Sequence, residues 1–387
     1  MAPQPTRRAL FRRSLLKSAA AAGAVGLAAP FVLVARGEAA AAPMLYRTLG
    51  KTGLKVSAAG LGGGGFSRLG LSKGKTEAQV VSLIRLALDL GVNLIDTAAA
   101  YGTEAVIGQA IQGVPRERLV ITTKASPAHY ASWELFPPAA VVASIENSLR
   151  QLKTDYLDVL ELHAVAPQIY ASVRETIYPA LLREKEKGKL RFIGITEAAP
   201  YDLEHKMLAA ALADDERWDC VMVAFNMMHQ NARASVFPMT RAKRVGTLIM
   251  FAVRGIFAQP ERLKAEVRAL AAEGKLPKWM GEAPDPLGFL VHEGGASSII
   301  DAAYRFVRDE PGVDVVLFGT SEPEHLREDI ASLTKPPLPA ADRAKIVELF
   351  GRLVGVGIEA PSHRQGAPQD EAPLGGGGGC GGVSAVT

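Results

Sequence analysis

From residue 43 onward the chain alternates between two hydrophobic patterns. Short runs of consecutive apolar residues, bounded by glycine or polar breaks, lead into longer stretches where apolar residues recur every three or four positions. The short runs are eight: VSAAGLG, VNLID, LVITTK, YLDVLELH, RFIGIT, CVMVAFN, TLIMFA and VDVVLFG. An uninterrupted apolar run suits a strand covered on both faces, as in a parallel sheet. The longer stretches include TEAQVVSLIRLALDLG, AAVVASIENSLRQLK and SVRETIYPALLREKEKG. Their period gives helices with one apolar face, and glycine or lysine near their ends fits helix termination. Before the first unit, YRTLGKTGLKVS predicts a β-hairpin, with strands near 46–49 and 54–57 around Gly50 and Gly53.

Eight strand–helix units in one chain predict a single (β/α)8 TIM barrel with an N-terminal hairpin, an α/β fold. A doubly wound sheet is the alternative, and its usual mark is a glycine-rich dinucleotide fingerprint opening a helix. GLGGGGF at 60–66 is the one candidate, but SRLGLSKGK separates it from any helix. The barrel is therefore preferred. It is expected to span 43–355, between a leader at 1–42 and a glycine-rich, disordered tail at 356–387.

The leader changes how the charge is read. The formal net charge of the 387 residues is +4, yet 1–42 alone carries Arg7, Arg8, Arg12, Arg13, Lys17 and Arg36 against Glu38. The rest is close to neutral, so an electrostatic case for nucleic-acid binding is lost. The segment FRRSLLKSAAAAGAVGLAAPFVLVARGEAAAAP has a basic start, a moderately apolar middle broken by Pro30, and small residues at its end. That is the order of a secretory signal. Arg12 and Arg13 followed by Ser14, Leu15 and Leu16 resemble a twin-arginine export signal. It implies the export machinery as a partner, a periplasmic or otherwise exported location, and no stable membrane insertion after cleavage. Only Cys220 and Cys380 are present, so no disulfide framework is expected.

In a barrel of this kind the active site lies at the C-terminal ends of the strands. There the sequence places Asp96 after VNLI, Tyr101 on the following loop, Lys124 at the end of LVITTK and His163 at the end of YLDVLELH. Each alone has a structural explanation: a helix cap, a core phenol, a snorkelling lysine, a satisfied histidine. Together on one rim they suggest acid catalysis on a carbonyl. A phenol titrates near 10, and a nearby ammonium favours its anion. Tyr101 would give a proton, Lys124 would lower its pKa, Asp96 would hold Lys124, and His163 would orient the carbonyl oxygen. The scattered histidines show no metal-ligand spacing, and no metal is expected.

These pieces resemble the aldo-keto reductases. YRTLGKTGLKVSAAGLG, GVNLIDTAAAYG, LVITTKAS, LRQLKTDYLDVLELHAV and GKLRFIGIT carry the resemblance, which covers residues 46 to 333. It implies a barrel that binds NAD(H) or NADP(H) in extended form and interconverts carbonyls and alcohols. It also assigns Asp96, Tyr101, Lys124 and His163 to a catalytic tetrad. The implied cofactor positions are Gly62, Gly63, Thr196, Glu197, Met222, Phe251, Gly319, Thr320, Ser321 and Asp329. Several depart from the family pattern. Thr196-Glu197 stands where Ser-Asn is usual, Met222 where glutamine is common, Phe251 where tyrosine is frequent, and Asp329 where asparagine is usual. Of the bases that commonly read a 2′-phosphate only Arg327 is near, so no strong preference for NADPH is expected. Tyr130, Trp133 and Phe136 are expected at the same rim, with 254–296 inserted nearby. Two other functions fit the same residues: a nucleotide-binding sensor with little turnover, and an NAD-dependent sugar dehydrogenase.

Overall fold

A computed structural model describes residues 43–214 and 217–358. The leader at 1–42 lies outside the described residues, as does the tail from 359. A hairpin comes first, with β1 (Tyr46–Thr48) and β2 (Lys55–Ser57) paired antiparallel. Eight parallel strands follow: β3 (Ala59–Gly62), β4 (Leu94–Asp96), β5 (Val120–Ala125), β6 (Leu157–Val165), β7 (Leu190–Glu197), β8 (Cys220–Ala224), β9 (Gly246–Met250) and β10 (Val315–Phe318). They close in sequence order, with β10 beside β3. Each predicted apolar run overlaps one of them. The first run divides: Val56 and Ser57 end the hairpin, and Ala59 begins the barrel.

The barrel interior is filled by Leu94, Val120, Val159, Cys220, Met222, Leu248 and Val315. Leu49, Leu54 and Val56 of the hairpin join this cluster, so the hairpin plugs the end where the strands begin. At Gly246, the first residue of β9, a Cβ would lie 2.7 Å from the Leu49 Cγ. Glycine is what lets that leucine enter. With the lower end plugged, the opposite mouth is the open one.

The helices bury their predicted stripes against the outside of the strands. The helix Glu77–Asp89 buries Val80, Leu83, Ile84 and Ala87, and starts with a capping box between Thr76 and Gln79. The helix Pro138–Leu152 buries Val141, Ile145, Leu149 and Leu152. The third predicted helix is interrupted by a π-turn at Val173–Ile177 before continuing as Tyr178–Glu186. Pro179 lacks the N–H an unbroken α-helix would use here, and the wider turn absorbs that loss. The chain stays packed beyond the expected limit at 355: Val356 and Ile358 are buried, and the Gly357 carbonyl accepts from Asn226 Nδ2 at 3.0 Å. Among the described residues, no helix is long and apolar enough to cross a membrane.

Candidate active site

β4 ends on Asp96, whose carboxylate is buried. The chain then makes a 3₁₀ turn, Ala99–Tyr101, and Gly102 ends it in the left-handed region at φ 65°. A side chain at Gly102 would also collide with Arg68, whose Nη2 would stand 2.4 Å from a Cβ. The glycine run after β3 serves the same crowded corner. A Cβ on Gly64 would fall 2.6 Å from the Tyr101 ring, and one on Gly63 would fall 2.9 Å from Thr103 Oγ1. Gly64 gives clearance for the phenol, and Gly63 for the Thr103 hydroxyl beside it.

Lys124 on β5 is buried, and its Nζ donates to both Asp96 oxygens, at 2.6 and 2.7 Å, and to the Thr97 carbonyl at 2.8 Å. Thr122 Oγ1 donates to the same carboxylate at 2.7 Å. All three ammonium protons are therefore used, which is what a buried charge requires. The ammonium lies 5.2 Å from the centre of the Tyr101 ring. Tyr101 Oη is 3.2 Å from His163 Nε2, and the rings meet edge to face. The four expected residues thus stand together at the mouth.

His163 comes to this position through a detail that periodicity does not reveal. Its strand does not end there but runs on to Val165, with a register shift against β7 between Leu162 and Val165. Ala164 takes φ +52°, an uncommon conformation for alanine, and its N–H donates to Thr196 Oγ1 at 2.7 Å. The bulge re-aims the histidine, as bulges near active sites do.

Burial dominates the proton affinities. It pushes the His163 pKa down to about 3, and the Lys124 charge adds to this, so the imidazole is neutral. For Lys124, burial disfavours the charge most, but Asp96, Tyr101 and Glu161 together outweigh it and the pKa is raised. Tyr101 corrects a simpler expectation. Lys124 does pull its pKa down, but burial pushes it up by more, and the net shift is upward. Tyr101 therefore rests as the neutral phenol.

The remaining expected positions divide. Gly62 and Gly319 face each other where β3 and β10 end, and a Cβ on Gly319 would lie 3.1 Å from the Gly62 carbonyl. Thr320 and Ser321 lead into the helix Pro323–Thr334, whose free N–H groups suit an anionic group. Phe251 follows β9 at φ 67° and has the Arg254 guanidinium 4.0 Å above its ring. These features fit a dinucleotide: close backbone, hydroxyls, a helix N-terminus and a ring for stacking. Three positions are committed elsewhere. The Glu197 carboxylate is buried, accepting from Ala224 N and joined to His205 Nδ1, both at 2.7 Å. Met222 packs inside the barrel. Asp329 is buried on its helix, and burial beside Glu328 pushes its pKa to about 7. Among the described residues no group of three or more His, Cys, Asp or Glu side chains could hold a metal ion.

Sequence reasoning missed several neighbours. Glu161 is buried beneath Lys124, with its carboxylate 3.9 Å from Nζ. Arg254 covers Phe251, and Asn226 Nδ2 ties the Phe251 carbonyl, at 3.3 Å, to the C-terminal segment. At the rim, Tyr130 and Trp133 form a triangle with Tyr201, centroids 5.4 to 5.7 Å apart, while Phe136 packs on His129.

The model of the aldo/keto reductase family matches residues 59–350. The chain belongs to the aldo/keto reductase family. It is a nicotinamide-dependent oxidoreductase, and the match spans every strand of the barrel. The reductase is 27% identical to the aldo-keto reductase YhdN of Bacillus subtilis (strain 168), over 83% of this chain and 99% of that protein. It is 30% identical to the L-galactose dehydrogenase of Arabidopsis thaliana, over 78% of this chain and 92% of that protein. It shares its fold with an aldo/keto reductase from Klebsiella pneumoniae solved with NADP and acetate, at 23% identity and TM-score 0.58, over 79% of this chain and 95% of that one.

Proposed function

We propose that this reductase carries a carbonyl to an alcohol through Asp96, Tyr101, Lys124 and His163, with Tyr101 as general acid. A reduced nicotinamide dinucleotide, when bound, supplies the hydride that the carbonyl carbon takes. Gly62, Thr196, Phe251, Gly319, Thr320 and Ser321 are the residues that would hold it. Tyr101 Oη gives its proton to the carbonyl oxygen, leaving a phenolate that the Lys124 ammonium stabilises. Asp96 keeps that ammonium charged and pinned. His163, neutral and protonated on Nε2, donates a hydrogen bond to the same oxygen and sets its direction. The phenolate regains its proton from solvent when the alcohol leaves.

The observation that carries this reading is the buried chain of contacts from Asp96 through Lys124 to the face of Tyr101, with His163 at 3.2 Å from its hydroxyl. Loss of NADH or NADPH absorbance with a small aldehyde tests it; no consumption with any aldehyde or ketone overturns it. Sugar oxidation with NAD is a second reading. It is favoured by the match to nearly the whole of an L-galactose dehydrogenase. The two cofactors are expected to serve comparably, because the segment after β10 offers acids: Glu322, paired with Lys75 at 2.9 Å, and buried Asp329. From the leader we also propose export by the twin-arginine route, with maturation near Ala42.

A further inference from the structure

Glu161 has no role in the scheme above. It sits on β6 two residues before His163, so both side chains emerge on the same face of the strand. It is fully buried, and neither carboxylate oxygen has a hydrogen-bond partner. Its cross-strand neighbour on β5 is Lys124, and on β7 it is Gly194. A Cβ at Gly194 would come within 2.9 Å of the Glu161 Cγ, so the glycine makes the space the glutamate occupies. A buried carboxylate without donors is costly, whereas a neutral carboxylic acid is far less so.

The charged and titratable groups around it are few. Lys124 faces it from β5 at 3.9 Å, and Asp96 from β4 shares that lysine. Cys220 on β8 feels its charge, and its thiol is pushed up mainly by burial. Tyr101, on the turn after β4, feels Lys124, Asp96, Glu161 and Arg254. β7 presents glycine at the paired position.

We infer that Glu161 is a positioning residue for the reaction, whose protonation decides how much of the Lys124 charge acts on Tyr101. As a neutral acid, Glu161 leaves the ammonium balanced by Asp96 alone. As an anion, it adds a second negative charge beside Lys124, and the phenolate left by proton transfer is less stable. Burial lifts the Glu161 pKa, against the pull of Lys124, to about 8. The neutral form therefore prevails at neutral pH. Carbonyl reduction should weaken as pH rises past that value, before Tyr101 or Lys124 titrates.

This inference rests on Tyr101 as the proton donor, and the test separates the two. The kcat for aldehyde reduction is measured from pH 6 to 10 in the wild type and in Glu161→Gln, which keeps the shape and fixes the neutral state. In the wild type kcat should fall roughly tenfold across the limb, as the second negative charge beside Lys124 makes the phenolate harder to form. In Glu161→Gln the limb should vanish, with kcat at pH 6.5 within about twofold of the wild type. An unchanged limb in Glu161→Gln would overturn the inference while leaving the Tyr101 reading intact. A second measurement needs no turnover. The infrared difference spectrum between pH 6 and 10 should contain a neutral-carboxyl band that Glu161→Gln removes. If no band is lost, Glu161 does not change protonation between pH 6 and 10 and the inference fails.

Discussion

Lys124→Met separates what the buried lysine does for the fold from what it does for the chemistry. The wild-type ammonium makes three donations within 2.8 Å, two of them to a carboxylate that is itself buried. Methionine fills a similar volume but leaves Asp96 with Thr122 as its remaining side-chain donor. Removing one partner of a buried pair typically costs about 3–5 kcal/mol, because the other charge is left uncompensated. For a domain of this size that corresponds to a drop in melting temperature of about 5–8 °C. Lys124 has its pKa raised in the folded state, so its contribution is complete below its unfolded value of about 10.4 and is lost as pH rises through the folded one. The deficit of Lys124→Met should therefore be constant from pH 6 to 7 and change only where Glu161, which loses the pull of Lys124, ionises at about 8 and above. Urea unfolding followed by circular dichroism measures it. The double variant Asp96→Asn, Lys124→Met should regain about half of the loss or more, since it removes the orphaned charge as well. A single variant within about 1 kcal/mol of the wild type, or a double variant less stable than the single, would refute the reasoning.

Other consequences are independent of that pair. Thr196→Val removes the acceptor for the Ala164 N–H and should cost about 1–3 kcal/mol; it should lower kcat more than it raises KM, by letting His163 drift, and steady-state kinetics with unfolding curves check both. NADH should bind within about tenfold of NADPH, a gap near 1.4 kcal/mol, by fluorescence titration; a thousandfold preference for NADPH would point to a phosphate-reading cation such as Arg327. Changing Arg12 and Arg13 together to lysine should trap uncleaved precursor inside the cell, as read by fractionation and N-terminal sequencing.

Much of the barrel is legible because its strands are buried on both faces and so appear as unbroken apolar runs. Asp96 and Lys124 are legible for the same reason: a charge that ends such a run has to be accounted for. His163 is legible as a residue but not as a geometry, since the bulge at Ala164 depends on Thr196 of the next strand. Glu161 escaped notice because an acid within VLELH reads as an isolated exception to an apolar run. Its alternation with His163 and its place opposite Lys124 emerge only once the strands are in register. The glycines at 62–65 look like a weak phosphate motif, yet at Gly64 the constraint is the Tyr101 ring. Glu197 shows the reverse error: it follows Thr196 at a cofactor position, but its carboxylate is occupied by His205 and Ala224. The boundary at 355 came from composition, and burial of Val356 and Ile358 moves it outward.

The central claim is that Tyr101 delivers the proton, and Tyr101→Phe tests it most directly. The ring, its contact with Gly64 and its edge against His163 all survive this change; only the hydroxyl is lost. Aldehyde reduction and dinucleotide affinity should be measured on the same preparation. The account predicts kcat lower by about 10²–10⁴-fold, with dinucleotide binding and melting temperature essentially unchanged. A variant that keeps kcat near the wild-type value would contradict it, and would require the proton to come from another group at this mouth.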